Sequence, residues 1–180
     1  MKTIVNTEED FQITAGTKLG YVSITGSRAG ITAINFVDAT DANCTGLPRD
    51  IKTQALVREA LQSINNPHRG ILVPLQCSGT SLQQAVWRHL QSIPVGSTMT
   101  YAEIARAIGA PRAYRAVANA CGANKVAILV PCHRAIRSDG SYGGYRWGID
   151  KKREILAWEK RALPSGAAPE YLACNTEDPR

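Results

Sequence analysis

Val130-Pro131-Cys132-His133-Arg134 places a cysteine beside a histidine at the end of the apolar run Val126-Ala127-Ile128-Leu129-Val130. Such a run reads as a buried strand, and a buried strand that delivers a Cys-His pair to its mouth suggests a nucleophile. Only the thiolate of a cysteine attacks, and a neighbouring basic or cationic group favours that form. Neighbouring side chains of an extended strand point to opposite faces, so His133 would reach Cys132 only through a turn or a bridging water.

The surroundings of the pair give it a context. Thr100-Tyr101-Ala102-Glu103 has the form of a capping box and predicts a helix over 101–108 that ends at Gly109. Pro111 predicts the start of a second helix through Ala123, carrying Ala113, Ala116, Ala118, Ala120 and Ala123, with Arg112, Arg115 and Asn119 as its polar reach. Two short helices joined by Gly109-Ala110-Pro111 read as a helix-turn-helix, and a helix so thin could approach a nucleic-acid groove closely. It carries few side chains able to read base edges, so contact with little sequence preference is expected. The alternative is a small-residue helix packed in a core.

Charge points the same way. The net charge is +6, yet residues 1–79 sum to zero, 80–163 to +8 and 164–180 to −2. A neutral half beside a basic half suits a polyanion partner. Five scattered cysteines, Cys44, Cys77, Cys121, Cys132 and Cys174, form no Cys-x-x-Cys pair, which argues for a reducing compartment, cytoplasm or nucleus, and against a disulfide scaffold. Neither these nor the three histidines have metal-ligand spacing, so no metal and no cofactor are expected. No apolar run is long enough to span a bilayer, and Met1–Asp10 has no signal-peptide layout.

The remaining elements fill in a frame of α+β class. Leu19–Thr25 and Ile31–Val37 read as a β-hairpin, and Pro48 and Asp50 open a helix bearing Val57, Leu61 and Ile64. Gly70–Pro74 reads as a short strand, Thr80 or Ser81 as the cap of a helix with Leu82, Val86, Trp87 and Leu90, and Asp150 as the cap of a last helix to Ala162. The expected division is 1–79, a small α/β domain; 80–163, the domain carrying the helix pair and Cys132; and 164–180, a flexible tail. The glycine-rich, aromatic stretch Arg137–Gly148 suits folding over a flat ligand, without the spacing of a Rossmann or phosphate loop.

Pro131-Cys132-His133-Arg134, preceded by Arg115 and Asn124 and followed by Tyr145-Arg146-Trp147-Gly148, resembles the O6-alkylguanine-DNA alkyltransferases, the methylated-DNA–protein-cysteine methyltransferases. The Tyr-Arg-Trp-Gly loop is similar to that of the Ada-type branch. The resemblance is specific from about Thr80 to Leu163; before that it is one of layout. It implies a ribonuclease H-like N-terminal domain followed by a mainly helical, winged-helix-like DNA-binding domain. The cysteine-rich domain that precedes this part in full-length Ada-type regulators has no counterpart in these residues, and a transcriptional role is not expected.

The resemblance also implies the roles. Cys132 would accept an alkyl group, with His133 as general base and Glu159 orienting it. Tyr101 would donate to the departing guanine, and the Arg146 backbone amide would face O6. Asn124 would support the site, and Arg115 would enter the base stack. Arg112, Arg134, Tyr145 and Arg146, with Lys125, would be further DNA contacts. The partner would be double-stranded DNA containing O6-alkylguanine, and O4-methylthymine also, gripped through its minor groove by a monomer. The product thioether has no good leaving group, which implies one turnover per chain. Two other readings stand beside this one: a DNA lesion-binding module in which Cys132 is inert, and a cysteine hydrolase with a Cys-His-carboxylate trio.

Overall fold

The computed structural model describes residues 11–40 and 48–162. The expected tail, with Cys174, lies outside the described residues, as do Cys44 and Met1–Asp10. The fold is mixed α+β. Three antiparallel strands, β1 (Phe11–Thr17), β2 (Gly20–Ser27) and β3 (Gly30–Val37), form a meander in the order β1-β2-β3. The β2–β3 hairpin matches the sequence expectation. β1 was not expected, although Phe11 and Ile13 alternate with exposed or half-buried residues as a one-sided strand requires.

α1 (Ile51–Asn65) starts where Asp50 accepts a hydrogen bond from the Thr53 amide at 3.0 Å. It turns Val57, Ala60 and Ile64 into the core. The stretch 70–74 is not a strand. It is an extended connection whose Pro74 carbonyl accepts from the Ile31 amide at 2.9 Å, and a single bridge joins Ile31 to Leu75.

In the second half, α2 (Ser81–Ser92) opens with a capping box between Thr80 and Gln83. A two-residue strand, β4 (Met99–Thr100), leads into α3 (Tyr101–Ala107), where Thr100 and Glu103 form the predicted capping box. α4 runs over Tyr114–Gly122, three residues shorter at its start than expected from Pro111. Residues 111–113 are a turn closed by an Ala113 amide to Ala110 carbonyl bond of 2.8 Å, so Arg112 is not helical. β5 (Ala135–Ile136) pairs in parallel with β4, and α5 (Ile149–Ala162) is the last element of the described residues. Asp150 lies inside the first turn of α5 rather than capping it.

The largest departure from expectation is the apolar run. Val126–Val130 is buried but is not a strand. Only Val126 bridges to Ile34, and the chain then turns tightly, with Leu129 amide to Ala127 carbonyl and Val130 amide to Val126 carbonyl bonds of 2.7 and 3.1 Å. Ile128 sits at φ +67°, a left-handed conformation that a β-branched residue adopts only when its surroundings enforce it. Periodicity cannot separate a buried strand from a buried turn of this length.

One apolar core runs through both halves, from Phe11, Val22 and Ile34 to Val86, Ile104, Val117, Leu129 and Ile155. The first half also grips the turn that leads to Cys132: the edge of β3 bonds residues 125–127 through the Ile34 amide and carbonyl, at 2.9 and 3.0 Å. Phe36 packs edge-on against Trp147 with ring centroids 6.1 Å apart. The sheet is thus part of the mount for the Cys-His turn.

Candidate active site

Cys132 begins a 3₁₀ turn, Cys132–Arg134, that ends in β5. This turn breaks the strand alternation expected from sequence, and it buries Cys132, His133 and Arg134 together. Cys132 is 3% exposed, at the wall of a cavity of about 390 Å³. Tyr101, Asn119, Cys121, Arg137, Tyr145 and Arg146 share that wall. A cavity of this size is within the usual range for a single small ligand.

Asn124 fixes the sulfur. Its Nδ2 donates to Cys132 Sγ at 3.1 Å and to the Val130 carbonyl at 2.9 Å, and its Oδ1 accepts from the Val126 amide at 2.9 Å. One side chain therefore ties both ends of the left-handed turn to the cysteine. Burial nevertheless pushes the Cys132 thiol up to about 11, against the lowering effect of the Asn124 bond and of Lys152. The resting cysteine is a neutral thiol, not the thiolate that its histidine neighbour suggested.

His133 is fully buried, and its Nε2 lies 2.8 Å from Glu159 Oε1. Burial holds its pKa below the usual imidazole value, despite the carboxylate partner. Glu159 is raised by its burial, but the bonds from His133 and Arg134 outweigh that and hold it at about 2. The consistent state is a neutral imidazole donating from Nε2 to an ionised carboxylate. Nδ1 is then a bare lone pair, and it has no hydrogen-bond partner among the described residues.

Arg134, expected among the DNA contacts, is turned into the protein. It is 8% exposed. Its Nη2 and Nε donate to Glu159 at 2.8 and 3.1 Å, and its Nη1 donates to the Ile93 carbonyl. It is the counter-ion of the buried carboxylate. The Gly96 amide completes the set at 3.0 Å from Glu159 Oε2.

Tyr101, first residue of α3, lines the same cavity as Cys132. Burial pushes its phenol up to about 12, so it remains a donor at neutral pH. The loop after β5 folds against it at Gly143, where φ is +63° and a Cβ would lie 2.9 Å from the Tyr101 hydroxyl. That loop is pinned by Lys152, which was not anticipated. Lys152 is fully buried on α5 and donates to the Ala135 carbonyl at 2.5 Å and to the Tyr142 carbonyl. Burial lowers its pKa to about 8. A signal for it exists: Lys152, Ile155, Leu156 and Glu159 form one buried stripe of α5, spaced i, i+3, i+4, i+7. Arg137 and Cys121 on the cavity wall were also missed, and nothing in their local sequence marks them.

The exposed side of α4 borders the cavity mouth. Arg115 is exposed, with its guanidinium 5.7 Å from the centre of the exposed Tyr114 ring. Arg112 and Lys125 are exposed too, and Arg146 lies 5.9 Å over Trp147. None of these four cations is in an ion pair among the described residues. Tyr145, in contrast, hides its hydroxyl, which is buried and has no hydrogen-bond partner among the described residues, while its ring packs edge-on to Trp147 at 5.2 Å.

Residues 81–161 match a family model described as the 6-O-methylguanine DNA methyltransferase DNA-binding domain. The methylated-DNA–protein-cysteine methyltransferase of Mycolicibacterium paratuberculosis is 38% identical over 157 residues, covering 84% of this chain and 93% of that one. The chain belongs to the methylated-DNA–protein-cysteine methyltransferase family. The bifunctional transcriptional activator and DNA repair enzyme Ada of Escherichia coli is 48% identical over 112 residues, which are 62% of this chain. They span only 32% of Ada. Among solved structures, Mycobacterium tuberculosis OGT in complex with DNA matches with a TM-score of 0.68 and 34% identity, over 84% of this chain and 94% of that one. The family match covers α2 through nearly all of α5, and so contains the Cys132 turn, the Glu159 cluster and the exposed face of α4.

Proposed function

We propose that Cys132 takes the alkyl group from O6 of an alkylated guanine in duplex DNA, irreversibly and once per chain. The observation that carries this reading is the placement of a buried Cys132 on the wall of a cavity bordered by α4, whose one cation, Arg115, is exposed and in no ion pair among the described residues. A target atom inside a duplex cannot reach such a sulfur unless its base leaves the stack, and Arg115, exposed on α4, fills the gap it leaves. The thin, alanine-lined face suits minor-groove contact, with Arg112, Lys125 and Arg146 on phosphates, and the affinity falls with salt and depends little on sequence.

The chemistry starts from the neutral thiol. As Sγ attacks the alkyl carbon, its proton passes to His133 Nδ1, through one water where the two do not touch. The imidazolium so formed is balanced by Glu159, whose charge Arg134 and the Gly96 amide hold in place. The O6–carbon bond breaks as the sulfur–carbon bond forms, and its electrons move onto guanine. Tyr101, still protonated, hydrogen-bonds the base as that charge forms, and the guanine anion then takes a proton from water while the imidazolium returns one to solvent. The product is an S-alkylcysteine that no group in the cavity can cleave. O4-methylthymine presents the same alkyl oxygen and is a second substrate.

The sheet and α1, a reduced ribonuclease H-like unit over residues 1–79, serve as the mount. Residues 80–163 form the winged-helix-like acceptor unit, acting as a monomer. A reducing compartment that contains DNA, bacterial cytoplasm or nucleus, is where such a thiol survives. Cys132→Ala tests the assignment. The variant should bind a duplex containing O6-methylguanine with wild-type affinity and remove no methyl group; removal of the methyl group would show that another residue is the acceptor.

A further inference from the structure

Five large apolar side chains stand exposed among the described residues: Tyr21, Ile51, Leu72, Tyr114 and Ile149. Tyr114 alone belongs to an element that lines the Cys132 cavity. It is the first residue of α4 and is 47% exposed, so the core does not account for it.

The phase of α4 says where the ring stands. Ala118, Asn119, Cys121 and Gly122 line the cavity, and residues three, four or seven apart share a helix face. Arg115 precedes Ala118, Asn119 and Gly122 at those spacings, and Tyr114 precedes Ala118 and Cys121. The two therefore flank the cavity-facing stripe, one turn beyond the cavity wall. Helical side chains lean toward the N-terminus, which carries both further out over the rim. There the Arg115 guanidinium lies 5.7 Å from the centre of the Tyr114 ring, a cation–π distance.

We propose that Tyr114 is an aromatic wedge for duplex DNA, its ring stacking on the base step beside the extruded nucleotide while Arg115 occupies the gap. The inference rests on the proposed extrusion of an alkylated guanine and adds a second residue that holds the duplex open. An extruded base leaves its neighbours with uncovered faces, and proteins that open a duplex from the minor groove insert apolar side chains against such steps. An aromatic ring stacks on any base, so the contact adds affinity without sequence preference. The surroundings suit a polyanion. α4 has no acidic side chain, and Arg112 and Arg115, on either side of Tyr114 in sequence, are exposed and in no ion pair among the described residues. The ring also holds the guanidinium at the rim before DNA arrives, so less side-chain freedom is lost on binding.

Tyr114→Ala and Tyr114→Phe test the wedge, each in the full chain with Cys132→Ala so that the lesion is not consumed. The probe is a duplex with one O6-methylguanine and 2-aminopurine as the neighbouring base, whose fluorescence rises when it is unstacked and is quenched when a ring stacks on it. Tyr114→Ala should raise Kd about tenfold, the size of one base–aromatic stack, and should brighten 2-aminopurine at saturating protein, with Tm unchanged. Tyr114→Phe keeps the ring face and should match the parent in both readouts. An unchanged Kd in Tyr114→Ala overturns the proposal. A raised Kd with unchanged 2-aminopurine fluorescence also overturns it, because the ring would then touch the backbone rather than a base. The same holds if Tyr114→Phe behaves like Tyr114→Ala, which would assign the effect to the hydroxyl. Failure of the wild-type chain to accept a methyl group would sink alkyl transfer alone, since neither readout needs Cys132 to react and both still decide the wedge.

Discussion

Glu159→Gln perturbs the site at the point where its charges meet. Every neighbour of the Glu159 carboxylate is a donor: His133 Nε2 and Arg134 Nη2 on Oε1, Arg134 Nε and the Gly96 amide on Oε2. A glutamine amide nitrogen must replace one oxygen, and on either side it meets two N–H groups that have lost their acceptor. Arg134, 8% exposed, is left as a buried cation without its counter-ion. Removing one partner of a buried ion pair costs about 3–5 kcal/mol. At about 2–4 °C per kcal/mol for a chain of this size, Tm should fall by roughly 6–20 °C. Chemical denaturation at neutral pH measures the first quantity and a thermal melt the second. Single-turnover transfer, run at a temperature where the variant is folded, should slow by roughly 10²–10⁴, because the His133 base loses the anion that fixes its tautomer and balances its charge. A variant within about 1 kcal/mol of wild type, transferring at the wild-type rate, would refute the buried relay.

The same carboxylate sets an acid limit. Its folded-state pKa, about 2, lies below the ordinary 4.5, so its contribution to stability is full above pH 4.5 and is lost as pH falls toward 2. Unfolding free energy measured across that window should decline in the wild type and be flatter in Glu159→Gln. Asn124→Ala removes the bonds to Cys132, Val130 and Val126 at once and should cost about 2–4 kcal/mol in denaturant titration, with slower Cys132 alkylation. Thr100→Ala breaks the α3 cap and should cost about 1 kcal/mol, read in the same titration, with DNA affinity unchanged. Arg115→Ala should slow transfer from duplex DNA much more than from an unpaired strand, where no gap needs filling, as a side-by-side single-turnover assay would show.

How legible the site was depended on whether a residue's role is set locally. The Thr100–Glu103 box, the Asp50 cap and the β2–β3 hairpin are decided by neighbours within a few positions, and the structure has them where the sequence predicts them. The juxtaposition of Cys132, His133 and Glu159 in one site was anticipated through family resemblance, not through spacing. Composition alone leaves Glu159 as one acid among many on a charged helix. Arg134 shows the limit of charge counting. A basic residue beside a DNA-facing site reads as a phosphate contact, and only the tertiary packing of α5 reveals it as the partner of a buried carboxylate. Lys152 was hidden for the same reason, in the run Asp150-Lys151-Lys152-Arg153-Glu154, where burial of one lysine depends on helical phase against a distant loop. The turn at Ile128 was not legible at all, because β-branched residues favour strands and its left-handed backbone is imposed by Asn124 and the β3 edge.

In the proposed reaction Cys132 itself becomes alkylated. Intact mass with peptide mapping, after mixing the protein with excess duplex DNA containing one O6-methylguanine, tests it most directly. One added methyl group per chain is expected, located on Cys132, with the base restored to guanine and no further turnover. An unchanged mass with DNA still bound would contradict it and leave a lesion-binding protein whose cysteine is inert.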